Sequence, residues 1–218
     1  MTGRLPIHVN QMNNAGWGWT AAAVHPRFTM LPARLATAGY LSHQVGKWHL
    51  GLAKQAFTPA GRGFNTSLGY LGGAEEHYHH TAGGGTDLWA SDRSAVGYNG
   101  IYSAYMYADH ASELIAKHPK DKGLLLYVAF SDTHEPIEAP DVYVDRYPDT
   151  IPNCRRIYNG MASAVDDAVK NITSALHSSG LWETTLVIWS SDNGGPTLVP
   201  GPSCANNYPL RARPFRSP

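Results

Sequence analysis

Three segments of this chain repeat one pattern: a helical periodicity, an apolar run rich in β-branched or aromatic residues, and a polar cluster punctuated by Gly or Pro. The repetition restricts the fold, because strands that alternate with helices run parallel and need crossover connections that cover the sheet. In the first segment Pro32 suits an early helical position and Gly39 the position just past the end. Residues 31–38 therefore read as a helix before a strand over 40–45, which ends in Gly46-Lys47-Trp48-His49. In the second, Tyr105, Ala108, Ser112 and Ile115 share a helical face within residues 102–117, which stop before Pro119. Residues 124–130 follow as an apolar strand expected to be covered on both faces, leading into Ser131-Asp132-Thr133-His134. In the third, apolar residues recur at three and four from Ile157 to Leu176, Gly180 closes the helix, and residues 185–189 form a strand that runs into Asp192-Asn193-Gly194-Gly195. The fold class is α/β, a mostly parallel sheet between helical layers.

Composition narrows the partners. Lys plus Arg equals Asp plus Glu at 17 each, and no basic stripe runs along any segment, so nucleic acid is not an expected partner. The most apolar run, 124–130, is far shorter than the roughly 20 residues of a membrane helix, so no span is expected. Residues 1–6 have no apolar stretch of the secretory-signal kind. Cys154 and Cys204 lack C-x-x-C spacing, which leaves a single disulfide open. Asn65-Thr66-Ser67 and Asn171-Ile172-Thr173 fit the N-glycosylation pattern. Residues 50–100, rich in Gly, Tyr and His, read as a functional excursion, and His77, His79 and His80 within it as loop or cleft surface rather than a metal site.

In open α/β sheets ligands bind beyond the carboxyl ends of the strands. Lys47, His49, His134, Asp192 and Asn193 all fall there. Each has an ordinary explanation in turn chemistry, but three separate strand ends depositing such groups on one rim point to a site. The Asp192-Asn193 pair offers oxygen to a hard cation such as calcium or magnesium, while Lys47 and the two histidines suit a tetrahedral oxyanion. Sulfate or phosphate esters are the natural substrates. Asp166 is expected to pair with Lys170 on the solvent face of the third helix.

Residues 39–51, GYLSHQVGKWHLG, resemble the second sulfatase signature. Arg62-Gly63-Phe64, Gly69-Tyr70-Leu71, residues 124–136, Ser179-Gly180-Leu181-Trp182, Asp192-Asn193-Gly194-Gly195 and Asn207-Tyr208-Pro209-Leu210-Arg211 look, in order, like the arylsulfatase B group with arylsulfatases I and J. The resemblance implies an alkaline-phosphatase-like catalytic domain that hydrolyses sulfate esters of small molecules or glycans, among them sulfated amino sugars of glycosaminoglycans. It implies that Lys47 binds sulfate, that His49 hydrogen-bonds the nucleophile, and that His134 contacts the sulfate or protonates the leaving oxygen. Asp192 and Asn193 become calcium (Ca2+) ligands, Asn65 and Asn171 glycosylation sites, and the setting lysosomal or extracellular.

The family's nucleophile is a formylglycine made from the cysteine of C-x-P-S-R, a motif that this sequence lacks. Residues 1–4 look like the segment that follows it, so the expectation is a partial catalytic domain over 1–218, without its first strand, nucleophile motif and C-terminal subdomain. The family's lysine after Pro-Leu-Arg is also absent, since Arg211-Ala212-Arg213 runs into Pro214-Phe215. The alternative is a catalytically inactive chain that at most binds anions or sulfated glycans. Phosphatase chemistry on two metals about 4 Å apart is disfavoured by the shortage of carboxylates and histidines at suitable places.

Overall fold

The computed structural model describes residues 1–9, 11, 22–195 and 204–209. The family-like residues Leu210 and Arg211, and the Arg213 to Phe215 departure, lie outside them. Helix α1 (Leu31–Ala36) leads into β1 (Tyr40–Gly46), which is followed by β2 (Thr66–Gly69). The excursion after β2 forms two small hairpins, β3 (Thr81–Ala82) with β4 (Gly85–Thr86), and β5 (Trp89–Ala90) with β6 (Arg93–Ser94). Helix α2 (Ser103–Ala116), β7 (Gly123–Ala129), the short α3 (Asp141–Val144) and the long α4 (Asn153–Ser178) complete the order.

The main sheet runs β6-β5-β2-β1-β7. β1 lies at its heart, parallel to β2 on one side and to β7 on the other, with Val45 opposite both Leu68 and Val128. At the other edge β5 runs antiparallel both to β2 and to β6. One face of the sheet packs Val45, Leu68, Leu126 and Val128 against Met106 and Tyr107 of α2. The other carries Leu125 into a cluster of Val9, Val24, Met30, Trp48 and Phe64 beside α1. α4 packs on α2, where Ala104 and Ala108 face Ala164 and Ala168 and let the helices approach closely.

Most elements lie where periodicity puts them, and the differences have local causes. α1 ends at Ala36 rather than Ala38 because the Thr37 hydroxyl donates to Arg34 O (2.8 Å) and the last turn tightens, Gly39 N donating to Ala36 O (3.1 Å). α4 begins at Asn153, four residues before the apolar periodicity, because Pro152 sets the entry. The anticipated Asp166–Lys170 pair is replaced by Asp167 bonded to Arg146 at 3.1 Å. β7 meets a cluster on each face but is only half-buried, since it pairs on one side only among the described residues.

The strand expected over 185–189 does not form. A 3-10 turn at Trp182–Thr184 is followed by Thr185 in an extended conformation and by residues with no ladder partner among the described residues. Leu186 and Ile188 are 82% and 80% exposed. Backbone becomes a strand only when a neighbouring edge takes its N–H and C=O groups, and no such pairing is made among the described residues. Cys154, in the first turn of α4, is disulfide-bonded to Cys204 with their Cα atoms 6.0 Å apart. No helix of the described residues is long and apolar enough to cross a membrane.

Candidate active site

The end of β1 is held by its neighbours before any functional group appears. Gly46 has a φ of +92°, and a side chain there would sit 2.0 Å from Ala129 O. The chain then threads between the tips of β7 and β2: Lys47 N donates to Ala129 O (2.8 Å) and Trp48 N to Tyr70 O (3.0 Å). Trp48 is buried and its indole N–H reaches Phe57 O (2.8 Å). An anchored tryptophan between Lys47 and His49 fixes both, and His49 takes a left-handed φ of 53°. The His49 ring lies on Gly73, where a Cβ would come within 2.7 Å of its Nε2.

The end of β7 supplies His134. Its Nδ1–H donates to Glu135 O (2.8 Å), a carbonyl that can only accept, so Nε2 is the nitrogen left for chemistry. Behind it His77 is fully buried and donates Nε2–H to His134 O (3.2 Å), while its Nδ1 pairs with Ser103 Oγ (3.0 Å). Tyr102 stacks on His77 and its hydroxyl donates to Asp132. Burial raises the Asp132 carboxyl above the ordinary range, against the opposing pull of His77 and Tyr102.

His49 and His134 line one cleft of about 920 Å³, from the ends of two adjacent parallel strands. Lys47 lies two residues before His49 and in electrostatic reach of Asp192. Burial lowers its pKa, and the Asp192 charge draws it back up. Asp192 and Asn193 are exposed, and Asn193 Nδ2 donates to Gly194 O (2.9 Å). Among the described residues no three His, Cys, Asp or Glu gather as a metal cage. Calcium takes about six to eight oxygens, so the two residues are not a calcium site by themselves. Of the sequence-derived set, the fold brings His49 and His134 together, sets Asp192 within electrostatic reach of Lys47, and leaves Asn193 at the solvent edge.

The histidines of the excursion part company. His77 braces His134, His79 is exposed and pairs with Asn99 (2.8 Å), and His80 is buried facing Glu75 at 3.7 Å. Gly73, His77, Tyr102 and Asp132 carry no motif. Their partners lie far along the chain, as with the 57 residues between His77 and His134, so only the fold reveals them.

The sulfatase family pattern matches residues 1–217. The chain belongs to the sulfatase family. Mouse arylsulfatase J is 41% identical over 187 residues, covering 83% of this chain and 31% of that protein. Human arylsulfatase A is 27% identical over 225 residues, 91% of this chain and 42% of that one. Among solved structures, a crystal structure of Ps i-CgsB in complex with a neocarrahexaose superposes with a TM-score of 0.87 at 26% identity, over 98% of this chain and 49% of that one. The architecture is thus the alkaline-phosphatase-like α/β fold of the sulfatases, and the chain spans less than half the length of these relatives.

Proposed function

We propose that this chain forms the central part of a sulfatase catalytic domain and binds the ester sulfate of an arylsulfatase-type substrate, a sulfated small molecule or a glycan carrying sulfated amino sugars. The observation that carries the reading is the convergence of His49 and His134 on one cleft, with Lys47 two residues before His49 and partly desolvated. In the proposed arrangement Lys47 neutralises sulfate oxygens and His49 orients the nucleophile. His134, with Nδ1–H committed to Glu135 O, presents the Nε2 proton of its charged form to the leaving oxygen.

Calcium and a formylglycine nucleophile belong to this reading through the resemblance alone. Among the described residues Asp192 and Asn193 would hold the cation, which would supply positive charge to the sulfate oxygens. So short a ligand set favours a second reading, in which the isolated chain binds sulfated ligands without turning them over. Asn65 and Asn171 are both exposed, and with the Cys154–Cys204 bond they support an oxidising, lysosomal or extracellular setting with glycosylation at both.

The test is 4-nitrocatechol release from its sulfate by the purified chain, with sulfate binding measured in parallel. Turnover that Lys47→Ala abolishes supports the hydrolase. Binding that Lys47→Ala weakens, without turnover, supports the second reading. Binding indifferent to Lys47→Ala contradicts both.

A further inference from the structure

The cleft that holds His49 and His134 is far larger than a sulfate group, and its remaining wall comes from the excursion between β2 and α2. Its volume, about 920 Å³, is that of a pocket for a whole small ligand. The wall is prebuilt. Asp87 accepts hydrogen bonds from Leu71 N (3.2 Å), Gly72 N (2.8 Å) and the indole N–H of Trp89 (2.8 Å), which ties the hairpin strand β5 to the cleft floor. A side chain at Gly72 would meet that carboxylate at 2.8 Å. With its N–H committed to Asp87, Trp89 has only ring surface to offer, and Leu52 and Leu71 extend the apolar lining.

The charges of this wall have one sign. Asp87 and Asp92 line it, and no lysine or arginine does so among the described lining residues. Arg93 lies 3.9 Å from the Asp92 carboxylate, yet it is 89% exposed and outside the lining. A second anionic group on the ligand, a uronate or another sulfate, would enter beside two carboxylates without a compensating cation. An uncharged ring with a flat apolar face would lie on Trp89 at no such cost.

We propose that the cleft selects monosulfated esters whose leaving group is an uncharged ring, aryl or pyranose, and discriminates against polyanionic sulfated saccharides. This rests on the reading of His49 and His134 as the sulfate end of the cleft, and it narrows that reading's glycan class to neutral bodies.

The experiment is calorimetric titration of the whole chain with four probes: 4-nitrocatechol sulfate, galactose 4-sulfate, galactose itself, and a disulfated disaccharide bearing a uronate. The expected result is binding of either or both monosulfated probes, which also tells aryl from pyranose, with the polyanion weaker by at least ~10-fold. Asp92→Lys, at an exposed position of the wall, should strengthen the polyanion by a larger factor than the monosulfated probes and so narrow the discrimination between them. Trp89→Leu, which keeps the apolar packing, should weaken the neutral-bodied probes ~5-fold. Sulfate-dependent binding in which the polyanion matches or exceeds the monosulfated probes overturns this inference alone. Equal binding of galactose and its sulfate, or no binding of any probe, overturns the sulfate-site reading and this inference with it.

Discussion

β7 and residues 185–189 are built from the same kind of sequence, Leu-Leu-Leu-Tyr-Val-Ala in one and Thr-Leu-Val-Ile-Trp in the other, yet their fates differ. β7 pairs with β1 at every residue from Gly123 to Ala129, and its side chains feed clusters on both sheet faces. Residues 185–189 form no ladder with a described partner, and Trp189 is 69% exposed. Propensity makes both segments willing to extend, but hydrogen-bond partners and burial come from the neighbouring strand. The site inherits the contrast. His134, at the end of the paired strand, sits in the cleft with its tautomer set, whereas Asp192 and Asn193, after the unpaired one, lie at the solvent edge.

Hydrogen exchange should give the largest separation. Amides of β1 and β7 are expected to exchange at least ~10³-fold more slowly than those of 186–189. Comparable protection in the two regions would mean that 185–189 finds a partner in solution, and the contrast would vanish.

Substitution at the paired region comes next. Gly46→Ala forces a Cβ to 2.0 Å from Ala129 O at a φ of +92°, and should cost about 3 kcal/mol in urea unfolding. Gly180→Ala also occupies a positive φ, +72°, but meets nothing within 4 Å, so about 1 kcal/mol is expected there. Equal costs would show that the strand tips are looser than their geometry.

Smaller again is the core against the exposed run. Val45→Ala, at 0% exposure, should cost about 2 kcal/mol, and Ile188→Ala, at 80%, less than about 0.5 kcal/mol. Ile188→Lys should also raise the soluble yield, because it breaks an exposed apolar run of high β-propensity. A loss above about 1.5 kcal/mol for Ile188→Ala, in the range of buried large-to-small changes, would contradict the exposure of this segment.

The pH dependence of β1 is the subtlest effect. Burial lowers the pKa of His43 below 6.5, and the nearby His118 and His110 add to it, so the native ring binds fewer protons than the unfolded one. Its contribution is therefore held above pH 6.5 and lost as the pH falls below that value. His80 runs the other way: burial opposes charging, but the facing Glu75 carboxylate and the carbonyls of Tyr98 and Ile101 win and raise it, so its contribution is held at acid pH and lost on the alkaline side. His43→Gln should flatten the acid limb of the stability profile, read as a urea midpoint at several pH values. An unchanged acid slope would remove His43 as its source.

The sheet and the site were legible to different depths. The helix over 102–117 is α2 with its two capping residues, and the strand over 40–45 is β1 short of Gly46, because strong periodicity and punctuation by Gly and Pro survive folding. The positions of Lys47, His49 and His134 past strand ends were legible because turn chemistry marks where each strand stops. His77, Tyr102 and Asp132 were not, because a brace between a loop and a helix start has no sequence period. Trp89 and Asp87 were equally silent, since their role depends on which way the β5 hairpin faces.

What the amino-acid order determined by itself was the alternation of helices and strands and the polar groups each strand delivers at its end, because hydrophobic period and turn chemistry are local properties. Which apolar runs became paired strands, which histidine braces and which faces the cleft, and the sign of charge on the cleft wall were decided only by the tertiary structure. Hydrogen-bond partners, burial and electrostatic neighbours are supplied by residues distant in the chain, and no local pattern encodes them.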